Sequence, residues 1–298
     1  MRRLEGILAP LVTPFAADGT VEVVAFRQNV RAHLDAGLHG VVVAGSTGEA
    51  ALLDEDERLR LVDAARMEVP PERPLLVGIG AESTRAVVAR ARAAAARGAD
   101  AVLVVAPHYY GSAMTHEALR DHYRAVADAS PVPVLLYTIP KYMHFALSPA
   151  LVLELAEHEN IVGMKDSAGD ATLFAQYLAA RSDRFQVLTG SGTLLGEALT
   201  LGADGAILAV ALFAPMHSLL VLAAVRDGDA DALAGAQSRL TPMAARIVGA
   251  MGVAGVKAAL DMVGLAGGSP RPPLPPLDGA AHDELRALLL DADLAPAR

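Results

Sequence analysis

Apolar and polar positions along this chain follow two alternating rhythms. Runs of valine, leucine and isoleucine, with little polar interruption, recur at residues 6–14, 40–44, 75–80, 101–106, 134–138, 161–165, 185–189 and 205–210. Such runs predict strands covered on both faces, as in a parallel sheet, because a half-exposed strand would show every second position polar. Longer segments between them carry helical periodicity and recognisable ends. Asp54 followed by Glu57 reads as a capping box, Ser83, Thr115 and Thr193 stand where N-caps are expected, and Ser148 precedes Pro149 at a first helical position. Gly37, Gly98 and Gly202 stand where helices should close before the next strand.

Strict alternation of strand and helix from residue 6 to residue 226 predicts a closed (β/α)8 TIM barrel, since an open sheet usually stops at about five or six strands. From residue 213 onward only helices are expected, at 213–226, 230–250, 253–263 and 282–290, the last after a proline-rich connector at 269–276. The first of these completes the eighth unit. The barrel is therefore assigned to 1–226 and a C-terminal helical extension to 227–298, with packing or subunit contact as its expected role. The alanine-arginine run at 86–97 is read as helix.

Composition narrows the possibilities. The chain of 298 residues is 53% hydrophobic, but no uninterrupted apolar run approaches the ~18 residues of a membrane span. A net charge of −9 argues against nucleic acid or an anionic membrane as partner. With no cysteine there is neither a disulfide nor a thiol nucleophile. Pro10 and Pro14 interrupt the first apolar segment, so no signal peptide is read and the cytoplasm is the expected compartment.

Of the 25 basic residues only Lys141, Lys165 and Lys257 are lysine. An arginine serves any surface charge equally well but cannot condense with a carbonyl, whereas an amine withdrawn from water gives up its proton more easily and can attack one. Lys165 ends the apolar run 161–165, where a barrel strand would deliver it to the catalytic rim. Other strand ends carry related chemistry. Gly45-Ser46-Thr47-Gly48-Glu49 can expose successive N–H groups to a carboxylate, Pro107-His108-Tyr109-Tyr110 and Tyr137 supply phenols, and Gly190-Ser191-Gly192 opens after the seventh strand. An amine, phenols and an anion cradle on one rim suit carbonyl chemistry on a 2-oxo acid. Each also has a plainer explanation: glycine for a tight turn, a core tyrosine with a satisfied hydroxyl, a lysine reaching to the surface, or Glu49 bonded only to nearby backbone.

Gly45-Ser46-Thr47-Gly48-Glu49, Tyr137 with Pro140, and Gly163-Met164-Lys165-Asp166-Ser167 resemble the signature elements of the dihydrodipicolinate synthase and N-acetylneuraminate lyase family of class I pyruvate aldolases. The resemblance implies a barrel with a C-terminal helical domain, assembled as a homotetramer, that needs no cofactor and no metal. It implies that Lys165 forms a Schiff base with pyruvate and that Tyr137 relays protons over the imine. Ser46 would link Tyr137 to Tyr109 of a neighbouring subunit, and Ser46 and Thr47 would hold the pyruvate carboxylate. Gly190 and Ile207 match positions whose backbone lines the pyruvate pocket.

Members that make dihydrodipicolinate carry an arginine shortly after the Tyr and Pro element; here Tyr142 stands in that place, with Lys141 beside it. Residues 81–84, 163–170 and 255–257, followed by Gly267-Gly268 and Arg271-Pro272-Pro273-Leu274, resemble the 4-hydroxy-2-oxoglutarate aldolase branch. His108 replaces a tyrosine common in the family and is expected to help select the aldehyde. The expected reaction is cleavage of a 4-hydroxy-2-oxo acid to pyruvate and an aldehyde, with dihydrodipicolinate synthesis and sugar-acid aldolase or dehydratase activity as alternatives. A metal-dependent aldolase, a phosphosugar enzyme binding phosphate at residues 190–193, and a barrel that merely binds a 2-oxo acid are the readings from other classes.

Overall fold

The computed structural model describes residues 4–294; the outermost positions of the two expected segments, 1–3 and 295–298, lie outside the described residues. Eight parallel strands close into a barrel in sequence order: β1 (Gly6–Pro10), β2 (Gly40–Val43), β3 (Leu75–Gly78), β4 (Ala101–Val105), β5 (Val134–Thr138), β6 (Ile161–Asp166), β7 (Gln186–Thr189) and β8 (Gly205–Ile207). Parallel pairing of β1 with β8 completes the ring. Every predicted strand is present, although several stop short of their apolar runs, β1 and β8 by the most. Leu11, Val12, Leu208 and Val210 beyond them are buried nonetheless, the first three in loop and Val210 in the 3-10 turn Ala209–Leu212. An apolar run reports burial, and burial alone does not specify a ladder.

Most helix ends follow the expected chemistry. Asp54 and Glu57 form a reciprocal capping box, and Ser83, Thr115 and Ser148 each accept the N–H three residues on. Gly37, Gly98 and Gly202 carry positive φ angles at helix ends. Thr193 departs from expectation. The helix Leu195–Leu201 begins after Leu194, without a side-chain cap, and the Thr193 hydroxyl instead bonds Ser191 Oγ at 2.9 Å.

One irregularity sets the geometry of the rim. Val134 pairs with Ile161, but the next residue of β5, Leu135, pairs with Gly163, so Val162 is an extra residue in β6. Such a bulge shifts every later pairing by one position. As a result Tyr137 lies level with Lys165 instead of with Met164.

After the helix Pro215–Asp227 come Ala230–Met243, a π-helical stretch Ala244–Ala250, Gly252–Met262 and Gly279–Asp291. The helix expected over 230–250 thus changes character near its end. Pro242 lies inside it and lacks an N–H, and the wider turns begin two residues later. We propose that the division between barrel and helical extension falls at 226/227, one residue before the end of the helix Pro215–Asp227. Among the described residues no helix is long and apolar enough to cross a membrane.

Candidate active site

Lys165 and Tyr137 are the centre of a cavity of about 220 Å³ at the C-terminal ends of the strands. Paired residues of neighbouring parallel strands project to the same face, so the bulge at Val162 sets both side chains inside the barrel mouth. Lys165 is 6% exposed and Tyr137 4%. The Lys165 Nζ donates to the Tyr137 hydroxyl at 3.4 Å and lies 4.4 Å from the centre of its ring. Pleating sends Asp166 to the opposite face, where it is buried and accepts the Ala168 N–H. Desolvation pushes its carboxyl up to about 6, against the pull of that hydrogen bond.

The turn after β2 forms the facing wall. Ala44 and Glu49 both adopt left-handed φ angles, 52° and 57°, a strained conformation for residues with a Cβ. At the closing end of the turn the N–H groups of Gly48, Glu49 and Ala50 donate to the carbonyls of Gly45 and Ser46. Among the described residues the N–H groups of Ser46 and Thr47 have no protein acceptor, and both residues line the cavity. That is an arrangement able to receive a carboxylate. Arg58, buried behind the turn, donates to the Ala50 and Gly78 carbonyls and ties it to β3. Burial pushes this guanidinium down to about 10.

Glu49 has a partner that local reasoning missed. Its Oε1 accepts from Lys257 Nζ at 2.7 Å and its Oε2 from the Arg271 N–H at 2.7 Å. Lys257 is fully buried, also donating to the Thr13 and Ser269 carbonyls at 2.9 and 2.8 Å. Burial pushes its ammonium below the usual lysine range, opposed by Glu49. The Arg271 side chain grips both oxygens of Glu57 at 2.6 Å and the Leu52 carbonyl at 2.7 Å. The scarcity of lysine that singles out Lys165 applies equally to Lys257 and was the available signal.

The remaining wall comes from β7, β8 and the C-terminal helices. Gly190 donates to the Asp166 carbonyl at 2.6 Å, and a Cβ added there would collide with Ser167 Oγ and stand 2.7 Å from Lys165 Cε. A side chain at this position would have to displace Ser167 or Lys165. Ile207, Ser191 and Thr193 also line the space, as do Ala244, Val248 and Gly249 of the π-helical stretch. The extension therefore shapes the cavity, beyond the packing role expected of it. Ser167, one of the residues that carried the resemblance, lines the cavity as well.

Lys141 lies at the edge, its Nζ donating to the Gly249 carbonyl at 2.8 Å. Apart from Lys165 it is the one Lys, Arg, Asp, Glu or His residue among those lining the smaller cavity. Tyr142 stands beside it, its phenol pushed up by burial and by the proximity of Tyr137. An adjoining space of about 670 Å³ shares Ser46, Tyr137 and Tyr142 and includes His108.

Tyr109 is not brought to this site by its own chain. It is 77% exposed, lines neither cavity and packs edge-on against Tyr110, their ring centres 5.0 Å apart. The Glu82 carboxylate holds the loop by accepting the His108 and Tyr109 N–H groups at 3.0 and 2.9 Å. Among the described residues no hydrogen bond joins Ser46 to Tyr137, and no group of three or more His, Cys, Asp or Glu could hold a metal ion.

The sequence matches the dihydrodipicolinate synthetase family over residues 3–292. It is 39% identical over 292 residues to an uncharacterized DapA-like lyase of Halobacterium salinarum, covering 98% of this chain and 93% of the relative. It is 38% identical to the 4-hydroxy-tetrahydrodipicolinate synthase of Xanthomonas axonopodis pv. citri, covering 97% and 95%. Among solved structures, a dihydrodipicolinate synthase from Bacillus anthracis superposes with a TM-score of 0.93 at 30% identity, over 97% of this chain and 99% of the other. The dihydrodipicolinate synthase of Acinetobacter baumannii, solved in complex with pyruvate, gives 0.92 at 32% identity, over 98% and 99%.

Proposed function

The chain belongs to the dihydrodipicolinate synthetase family of pyruvate-dependent class I lyases, and from that premise we propose that it cleaves 4-hydroxy-2-oxoglutarate to pyruvate and glyoxylate. The observation that carries the chemistry is the buried Lys165 amine 3.4 Å from the Tyr137 hydroxyl, opposite the turn bearing Ser46 and Thr47. The substrate carboxylate binds the Ser46 and Thr47 N–H groups and hydroxyls. Lys165 adds to the C2 carbonyl and, with loss of water, forms a protonated imine that draws electrons from the C3–C4 bond. Tyr137 takes the C4 hydroxyl proton as that bond breaks and the aldehyde leaves. The enamine is protonated at C3, and hydrolysis of the imine releases pyruvate and the free amine.

A phenol is a weak base at neutral pH, so the transfer relies on the adjacent cationic imine and on a relay through Ser46. We propose that Tyr109 of a neighbouring subunit completes the relay in a homotetramer, since its exposure keeps it outside the site of its own chain. Gly190 and Ile207 line the cavity that would hold pyruvate.

One feature supports a substrate with a second carboxylate: the smaller cavity is lined by two lysines and by no Asp or Glu. Tyr142, standing where dihydrodipicolinate-forming members carry arginine, weighs against aspartate semialdehyde as the partner. The second reading is condensation of pyruvate with aspartate semialdehyde, favoured by the named activity of the Xanthomonas relative. Assays of pyruvate release from 4-hydroxy-2-oxoglutarate, beside pyruvate consumption with aspartate semialdehyde and with sugar aldehydes, decide between them. The proposal expects the first to be fastest; preferential use of aspartate semialdehyde overturns it.

A further inference from the structure

The buried Lys257–Glu49 pair lies outside the proposed chemistry, yet it connects the C-terminal extension to the turn that carries Ser46 and Thr47. Both side chains are 0% exposed and the pair is 2.7 Å apart. A buried ion pair is a poor route to stability, because apolar residues of similar volume often serve equally well. Nor is it needed to dock the extension. Asn29 already exchanges two hydrogen bonds with the backbone of Ala266, at 2.7 and 3.0 Å, and the Arg271 side chain grips Glu57.

What the pair supplies is direction. Glu49 closes the turn in the left-handed region, and its N–H donates to the Ser46 carbonyl. Its carboxylate is held at both oxygens, by Lys257 and by the Arg271 N–H. The same Lys257 holds the Thr13 carbonyl, while the Thr13 hydroxyl donates to the Gly48 carbonyl at 2.7 Å. The closing end of the turn is thus held through a side chain and through the backbone, with Lys257 common to both. Gly267 is packed against this anchor so closely that an added Cβ would collide with the Lys257 carbonyl.

We infer that Lys257 and Glu49 are positioning residues that aim the Ser46 and Thr47 N–H groups at the 2-oxo acid carboxylate, making the C-terminal helix Gly252–Met262 a working part of the site. The inference rests on the proposal that this turn binds pyruvate. It predicts that breaking the pair weakens pyruvate binding by more than any accompanying loss of stability explains.

The test measures pyruvate affinity by calorimetry and thermal stability for the wild type, Glu49→Gln, Lys257→Met, the double variant and Asn29→Ala. Glu49→Gln and Lys257→Met should each weaken pyruvate binding about tenfold, the scale of one charge-assisted hydrogen bond lost. The double variant removes both charges and should regain stability without regaining affinity. Asn29→Ala loosens the same extension without touching the turn, and should lower the melting temperature at unchanged affinity. Unchanged affinity in Glu49→Gln and in the double variant, or a loss in Asn29→Ala equal to theirs, overturns the inference. A wild type that binds pyruvate but gives no borohydride adduct removes the imine mechanism and leaves the affinities to decide this point alone. A wild type that binds no pyruvate overturns both.

Discussion

Tyr137 lies level with Lys165 because β6 carries one residue more than β5, Val162, just ahead of the pair. Were Val162 paired with Leu135 in regular register, Tyr137 would pair with Met164, whose side chain faces away from the barrel mouth. The 3.4 Å contact between hydroxyl and amine is therefore a consequence of strand register. In the proposed mechanism, the proton acceptor and the imine-forming amine are held on one face and need little rearrangement before reaction.

Tyr137→Phe should lower turnover by about 10²- to 10⁴-fold, the usual worth of a positioned proton-transfer group. Imine formation with pyruvate should persist, because the amine and the carboxylate turn are untouched. Single-turnover cleavage and borohydride trapping measured on the same variant separate the two steps. Equal loss of both would assign Tyr137 to holding the lysine instead.

Gly190→Ala would set a methyl group against Ser167 Oγ and 2.7 Å from Lys165 Cε. Displacement of the lysine by even about 1 Å can cost on the order of a hundredfold in rate. The expected result is a loss of that order in kcat/KM with normal expression and a normal circular dichroism spectrum. Activity near that of wild type would mean that the lysine does not work from its observed position.

Lys141→Met tests the second carboxylate. It should raise KM for 4-hydroxy-2-oxoglutarate about tenfold, the worth of one charged contact, while leaving pyruvate trapping unchanged. A substrate without a distal carboxylate should be insensitive to the change. Equal effects on both kinds of substrate would place Lys141 in packing against Gly249 only.

Asp166 should leave a pH signature on stability. Desolvation raises its carboxyl from the ordinary 3.8 to about 6, so the folded state favours the protonated form. That contribution is complete below 3.8 and is lost as pH rises through about 6. Against Asp166→Asn, the wild type should lose roughly 2 kcal/mol between pH 4 and 7, because each tenfold difference in proton affinity between folded and unfolded chain is worth about 1.36 kcal/mol and part of the change falls below pH 4. His122, pushed down to about 4 by burial, contributes stability above 6.5 that is lost as pH falls. Comparing variant with wild type at each pH cancels it. Urea titrations give the difference, and a constant offset across the range would refute the raised value.

The barrel was legible because a strand covered on both faces must be apolar throughout, which marks it without reference to its neighbours. Lys165 was legible because lysine is rare here and the apolar run ends on it. Register was not. Val162 is one aliphatic residue among several, and nothing in the order of residues says which of them goes unpaired. The Lys257–Glu49 pair was equally hidden, since its partners are 208 residues apart and belong to segments that read as independent. Thr193 misled because a hydroxyl before a helix suits an N-cap, whereas here it bonds Ser191 at the cavity wall. Local signals specify elements, and the relations between elements emerge only on closing the barrel.

The central claim, a covalent link between Lys165 and a 2-oxo acid, is tested most directly by intact-mass and peptide analysis after incubation with pyruvate and borohydride. The wild type should gain one reduced pyruvate adduct per chain, on the peptide containing Lys165, and Lys165→Arg should gain none while melting as a folded protein. An unmodified wild type, or an adduct that persists in Lys165→Arg, would contradict the account.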